Sequence, residues 1–148
     1  MTAVAVLAAA ALLTTVASAR SVSAKQRVTF MNKAGSFVLT PLSSGAIKTD
    51  KGALDACCWT TRHVVVAGQR LDVNDPHLTL TGRNGTLKLR NRIAWVDLPD
   101  GWAIFTGTWK VVGGTGAYAG VSGEGVVRGV STANGGGKST FLGFLTSS

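Results

Sequence analysis

Thr86 to Leu98 reads TLKLRNRIAWVDL. Leu87, Leu89, Asn91, Ile93 and Trp95 fall on one face of this stretch; Thr86, Lys88, Arg90 and Arg92 fall on the other. A period of two over such a length belongs to a half-buried strand. Just upstream, HLTLTGRNG sets Leu78 and Leu80 against Thr79 and Thr81. Asn84-Gly85 separates the two runs. Both residues tolerate positive φ, which a type I′ turn needs at its two central positions. The spacing predicts a β-hairpin closed by that turn.

The same period continues outward. GWAIFTGTWKVV, from Gly101 to Val112, puts Ala103, Phe105, Gly107, Trp109 and Val111 on one face. Pro99-Asp100-Gly101 supplies the turn before it. Val121 to Ser131 and Ser139 to Thr146 are further strands, joined through Asn134-Gly-Gly-Gly137. Earlier strands are expected at Arg27–Met31, Phe37–Leu42 and Val64–Ala67. About eight strands at this spacing imply an all-β sandwich or barrel. Gly123, Gly125 and Gly129 share a face with Val121 and Val127. Glycines inside strands mark bends, and small barrels use them to turn corners. The expectation is an antiparallel eight-stranded, calycin-type barrel with a partly open lumen.

Composition agrees. The chain has 148 residues, enough for one domain. Two cysteines, 45% hydrophobic residues and only 15% charged residues exclude a disulfide-dense miniprotein and an acidic disordered chain. Residues Ala3 to Leu13 are all apolar, and Ala17-Ser-Ala19 and Val22-Ser-Ala24 supply small-residue cleavage sites. That is the layout of a secretory signal peptide, though Met1-Thr2 lacks the usual positive charge. The run is too short to span a bilayer. The expected organisation is a signal peptide over 1–24 and one barrel domain over 25–148. Cleavage there leaves a net charge of +7 on a secreted or extracytoplasmic protein.

Several motifs fail on context. Asn134-Gly-Gly-Gly-Lys-Ser-Thr140 resembles the end of a phosphate-binding loop, but the first required glycine is Thr132 and no helix pattern follows. Gly114-Thr-Gly-Ala-Tyr-Ala119 fits a dinucleotide pattern formally, yet leads into a strand. Gly113, Gly114 and Gly116 therefore read as a structural turn. Asp72-Val-Asn-Asp75 is followed by Pro76 where a calcium loop needs Asp or Asn, and reads as a turn. Cys57-Cys58 allows a vicinal disulfide, an interchain bridge or buried thiols; with His63 it offers three ligands at most. No nucleophile–base constellation is present. No metal or cofactor is expected.

Two features bear on binding. Asn91 interrupts an apolar face, either as a buried structural amide or as a polar group orienting a ligand. Trp95 and Trp109, on inward faces, would wall the same lumen. Lys88, Arg90 and Arg92 form an outward basic row, extended by Lys110 and Arg128. Outside the cytoplasm such a row suits anionic envelope polymers or lipid head groups better than nucleic acid.

Trp109-Lys-Val-Val-Gly-Gly-Thr-Gly-Ala-Tyr-Ala-Gly-Val-Ser-Gly-Glu-Gly125 resembles a signature of the allene oxide cyclase and dirigent superfamily. Val112-Gly-Gly-Thr-Gly116 and Tyr118 carry the match, over roughly residues 101–130. Ala119 stands where dirigent proteins tend to have Arg, and Tyr118 replaces their Phe. The resemblance implies an eight-stranded antiparallel barrel with a hydrophobic lumen, often in oligomers, and no catalytic residue carries over. Tyr118 joins Asn91, Trp95 and Trp109 as a lumen candidate. The functional expectation is an exported barrel that binds a small hydrophobic ligand or acts as a non-enzymatic envelope protein. The alternative is an isomerase or cyclase working on a hydrophobic substrate inside the barrel.

Overall fold

The computed structural model describes residues 24–134 and 136–147, so the expected signal segment lies outside the described residues apart from Ala24. Ten strands follow one another: β1 Lys25–Lys33, β2 Ser36–Pro41, β3 Asp50–Cys57, β4 Thr61–Val66, β5 Gln69–Asn74, β6 His77–Gly82, β7 Thr86–Asp97, β8 Ala103–Gly114, β9 Ser122–Ser131 and β10 Gly137–Thr146. Eight of them close a barrel, in the order β7-β6-β3-β2-β1-β10-β9-β8 and back to β7. Every pairing is antiparallel. Closure removes the free edges an open sheet would leave.

The expected barrel is therefore present, but its strand set differs. Val64–Ala67 is not a barrel strand: β4 pairs with β5 in a hairpin that branches from the barrel between β3 and β6. Its place in the wall belongs to β3, which lacks an apolar alternation because Asp50, Gly52, Leu54 and Ala56 alternate as its inward set. Asp72–Asn74 is strand rather than turn, pairing with Ile93–Trp95 of β7. The β6–β7 hairpin forms as expected with a different turn. Only Gly85 has positive φ, and Gly82 N–H closes the link onto Gly85 O at 3.0 Å.

The interior is filled rather than open. Phe30 sits edge-on to Trp109 at 5.3 Å and to Phe141 at 6.1 Å, with Leu39, Leu80, Leu89 and Leu145 fully buried around them. One end is plugged by a single 3-10 turn, Gly116–Tyr118. The Tyr118 hydroxyl donates to Asp50 Oδ2 at 2.8 Å, and Asp50 also accepts from Arg83 N–H at 2.9 Å and Asn84 N–H at 3.3 Å. A buried carboxylate needs such donors to offset lost hydration. Gln26 does similar work beside it: its amide donates to Ser43 O and Ile47 O and accepts from Ile47 N–H, holding the β2–β3 loop over the same end.

Gly116 earns its place twice. Its φ is +60°, and an added Cβ would lie 2.5 Å from Asn84 O. Gly113 and Gly114 are the last residues of β8 rather than the turn itself, with a bulge opposite Lys88/Leu89. Gly114 lies against Tyr118, while nothing stands within 4 Å of a Cβ at Gly113.

Candidate functional site

The proposed lumen residues separate on inspection. Trp109 and Tyr118 are core: the Trp109 indole N–H donates to Val126 O at 3.1 Å, and Tyr118 is held by Asp50. Trp95 is half-buried at the other end, stacked flat on Phe105 at 5.2 Å, its N–H donating to Asp97 Oδ1 at 2.8 Å. Asn91 is 4% exposed, and its Oδ1 has no hydrogen-bond partner. The structural-amide reading required partners that Oδ1 does not have.

A depression lies outside the barrel. The register sets two outward rows side by side, Arg27–Phe144–Glu124–Lys110–Arg90 and Leu142–Val126–Thr108–Arg92. Between them runs the inward row Gly143–Gly125–Trp109–Asn91. The two glycines leave no side chain between the wall and the indole. A Cβ at Gly125 would lie 2.7 Å from Trp109 Nε1, and one at Gly143 2.6 Å from Trp109 Cζ2. The wall draws in over the ring, and its outer side is a groove of about 1040 Å³ crossing β7, β8, β9, β10 and β1. At 4.8 Å between strands, that crossing is about 19 Å.

The groove has an apolar floor and a charged rim. Val126, Leu142 and Phe144 are exposed on the floor. Lys25 and Arg27 stand at the β1 end; Arg90, Arg92 and Lys110 stand at the β7–β8 end. Two carboxylates, Asp75 and Glu124, also line it. Asp75 pairs with Arg62 at 3.4 Å, but among the described residues none of the five cations is in an ion pair. Lys25 Nζ lies 4.4 Å from the Phe144 ring centre, a cation–π contact. Asn91 borders the same groove from the inner side, with its Oδ1 sealed from solvent. Of the basic row read from β7, Arg90 and Arg92 belong here; Lys88 does not line it, and neither does Arg128.

The sequence reading missed the floor and the β1 cations. The signal was an inversion: in β9 and β10 the small residues Gly123, Gly125 and Gly143 face in, while Val126, Leu142 and Phe144 face out.

Cys57 and Cys58 form a vicinal disulfide at the end of β3, with Cys58 at φ +61°. His63 is engaged elsewhere. Its Nδ1–H donates to Asp72 Oδ1 at 2.6 Å, while Nε2 accepts from Arg70 at 3.1 Å. That hydrogen bond holds the Asp72 carboxyl below its usual range. Among the described residues no group of three His, Cys, Asp or Glu could hold a metal ion. No family model, no curated protein and no solved structure matches the chain.

Proposed function

We propose that this chain is a non-enzymatic binding barrel of the extracytoplasmic space, and that it takes an amphipathic anion in the groove on its outer wall. The carrying observation is the set of five cations, free of ion pairs among the described residues, around an exposed apolar floor. Charge without a protein partner attracts an anion, and the floor adds the burial of an apolar body. The small hydrophobic ligand expected inside the lumen is thus relocated and given a charged end. The apolar segment Ala3–Leu13 and the Cys57–Cys58 disulfide support a destination outside the reducing cytosol. Kinship with allene oxide cyclase and dirigent barrels belongs to the same proposal. A cyclase reading draws less support, because Phe30, Trp109 and Phe141 occupy the interior where its substrate would sit.

Calorimetric titration with decyl phosphate, decanol and inorganic phosphate tests the reading. Decyl phosphate is expected to bind at least tenfold more tightly than either fragment. Arg90→Ser with Arg92→Ser should remove most of that advantage, as should high salt. Equal, millimolar binding of all three probes would remove the proposal.

A further inference from the structure

Strand β4 is paired on one side only. It matches β5 from Thr61↔Asn74 to Val66↔Gln69, and among the described residues no strand lies along its other edge. All six residues are exposed, Val65 at 72%. The hairpin meets the barrel through just three register pairs, Asp72–Asn74 with Ile93–Trp95. Two strands alone are marginal in water. Natural edges are blunted by Pro, charged side chains or a bulge; β4 has no Pro, its one full charge, Arg62, is paired with Asp75, Val64–Val66 carries no charge, and its pairing with β5 runs without a register shift.

The outward face beside this edge is apolar. Val64 pairs with Leu71, and Val96, Ile104 and Val130 are successive partners across β7, β8 and β9. Continuing the Val73↔Ala94 register brings Leu71 level with Val96, so the five residues make one row that ends at β4.

Charge selects the occupant. Among the described residues both pairs of full charges, Arg62–Asp75 and Arg70–Asp72, lie on this hairpin and its base, where His63 also hydrogen-bonds Asp72. The hairpin is the electrically balanced part of a basic chain. A second, equally basic copy meets the least repulsion there.

We propose that β4 pairs antiparallel with β4 of a second copy, continuing the sheet across a twofold axis normal to it. The row of free edge N–H and C=O groups is a template for another strand, and a self-complementary edge gives a closed dimer. Such an axis pairs residues of equal parity. Centred on Val64, it sets Arg62 opposite Val66 and His63 opposite Val65, keeping like charges apart. The two apolar rows then meet end to end.

Sedimentation velocity on the purified protein is expected to show a dimer at tens of micromolar and a monomer on dilution. Val64→Lys with Val66→Lys should raise the dissociation constant at least tenfold. Both sites are exposed, so circular dichroism of the dilute proteins should coincide. Hydrogen exchange needs no variant: amides of 61–66 should be protected at high concentration and lose that protection on dilution. A wild type that stays monomeric at 100 µM, or exchange in 61–66 that ignores concentration, overturns the proposal. It stands apart from the groove reading, since neither assay involves that ligand.

Discussion

Tyr118 and Asp50 are 68 residues apart in sequence and 2.8 Å apart in the barrel, hydroxyl to carboxylate, both buried. The tyrosine closes one end; the aspartate ties β3 to the Arg83–Asn84 link. One bond therefore joins the plug to the wall.

Tyr118→Phe keeps the ring and removes the donor. It should cost about 1–3 kcal/mol, because Asp50 loses a partner where water cannot replace it. Urea midpoints of the two proteins measure this; coincident curves would show that the bond contributes nothing.

Burial, the hydrogen bond to Asp50 and the Asp50 charge together push the Tyr118 hydroxyl well above the ordinary phenol range. A group that holds its proton more tightly when folded stabilises fully below its unfolded pKa of about 10 and loses that contribution as pH rises further. Wild-type stability should fall above pH 10, by at most about 1.4 kcal/mol per pH unit from this group. Tyr118→Phe should lack that component. Tyr118 is the sole tyrosine, so phenolate absorbance reads it directly. An ordinary titration near pH 10 in the folded protein would contradict the burial argument.

Gly116→Val should destabilise by about 2 kcal/mol or more, through positive φ and the approach to Asn84 O. Gly113→Ala is the contrast. With open space and ordinary φ it should be neutral, or stabilising by up to about 1 kcal/mol. Thermal melts of the pair decide it, and equal losses at both sites would mean that neither φ nor contact governs.

Asn91→Leu should leave the ligand-free barrel as stable as before or more so. It removes a buried acceptor that has no donor, and such a group costs about 1–3 kcal/mol. A destabilised variant would mean that Asn91 ties the wall together.

Reduction of Cys57–Cys58 should change the melting temperature little. The bridge closes a loop of adjacent residues, so it constrains the unfolded chain least of all disulfides. A mass gain of two hydrogens without a large shift is the expected result; a barrel that melts on reduction would refute it.

What could be read from the sequence follows the physics of each strand. Leu78, Leu80, Leu87 and Leu89 alternate because β6 and β7 each turn one face to the core, so that hairpin was legible. β3 was not, since Asp50 is satisfied by residues more than thirty positions away and Gly52 lies against Thr81 O. Asp-Val-Asn read as a turn because strand propensity gave way to pairing with β7. The groove depends on Gly125 and Gly143 being register partners, a fact about closure rather than about either strand.

Cys57 and His77 are register partners at the base of the β4–β5 excursion. The chain thus leaves the barrel and returns to it at neighbouring points, as at the two ends of an ordinary hairpin loop. Everything from Cys58 to Pro76 is an ornament on a complete meander, added without interrupting its neighbour-to-neighbour order. The scaffold and its appendage can diverge independently except where Asp72–Asn74 pair with β7 and Asp75 lines the groove. The same junction offers a port at which another loop could be spliced into this barrel.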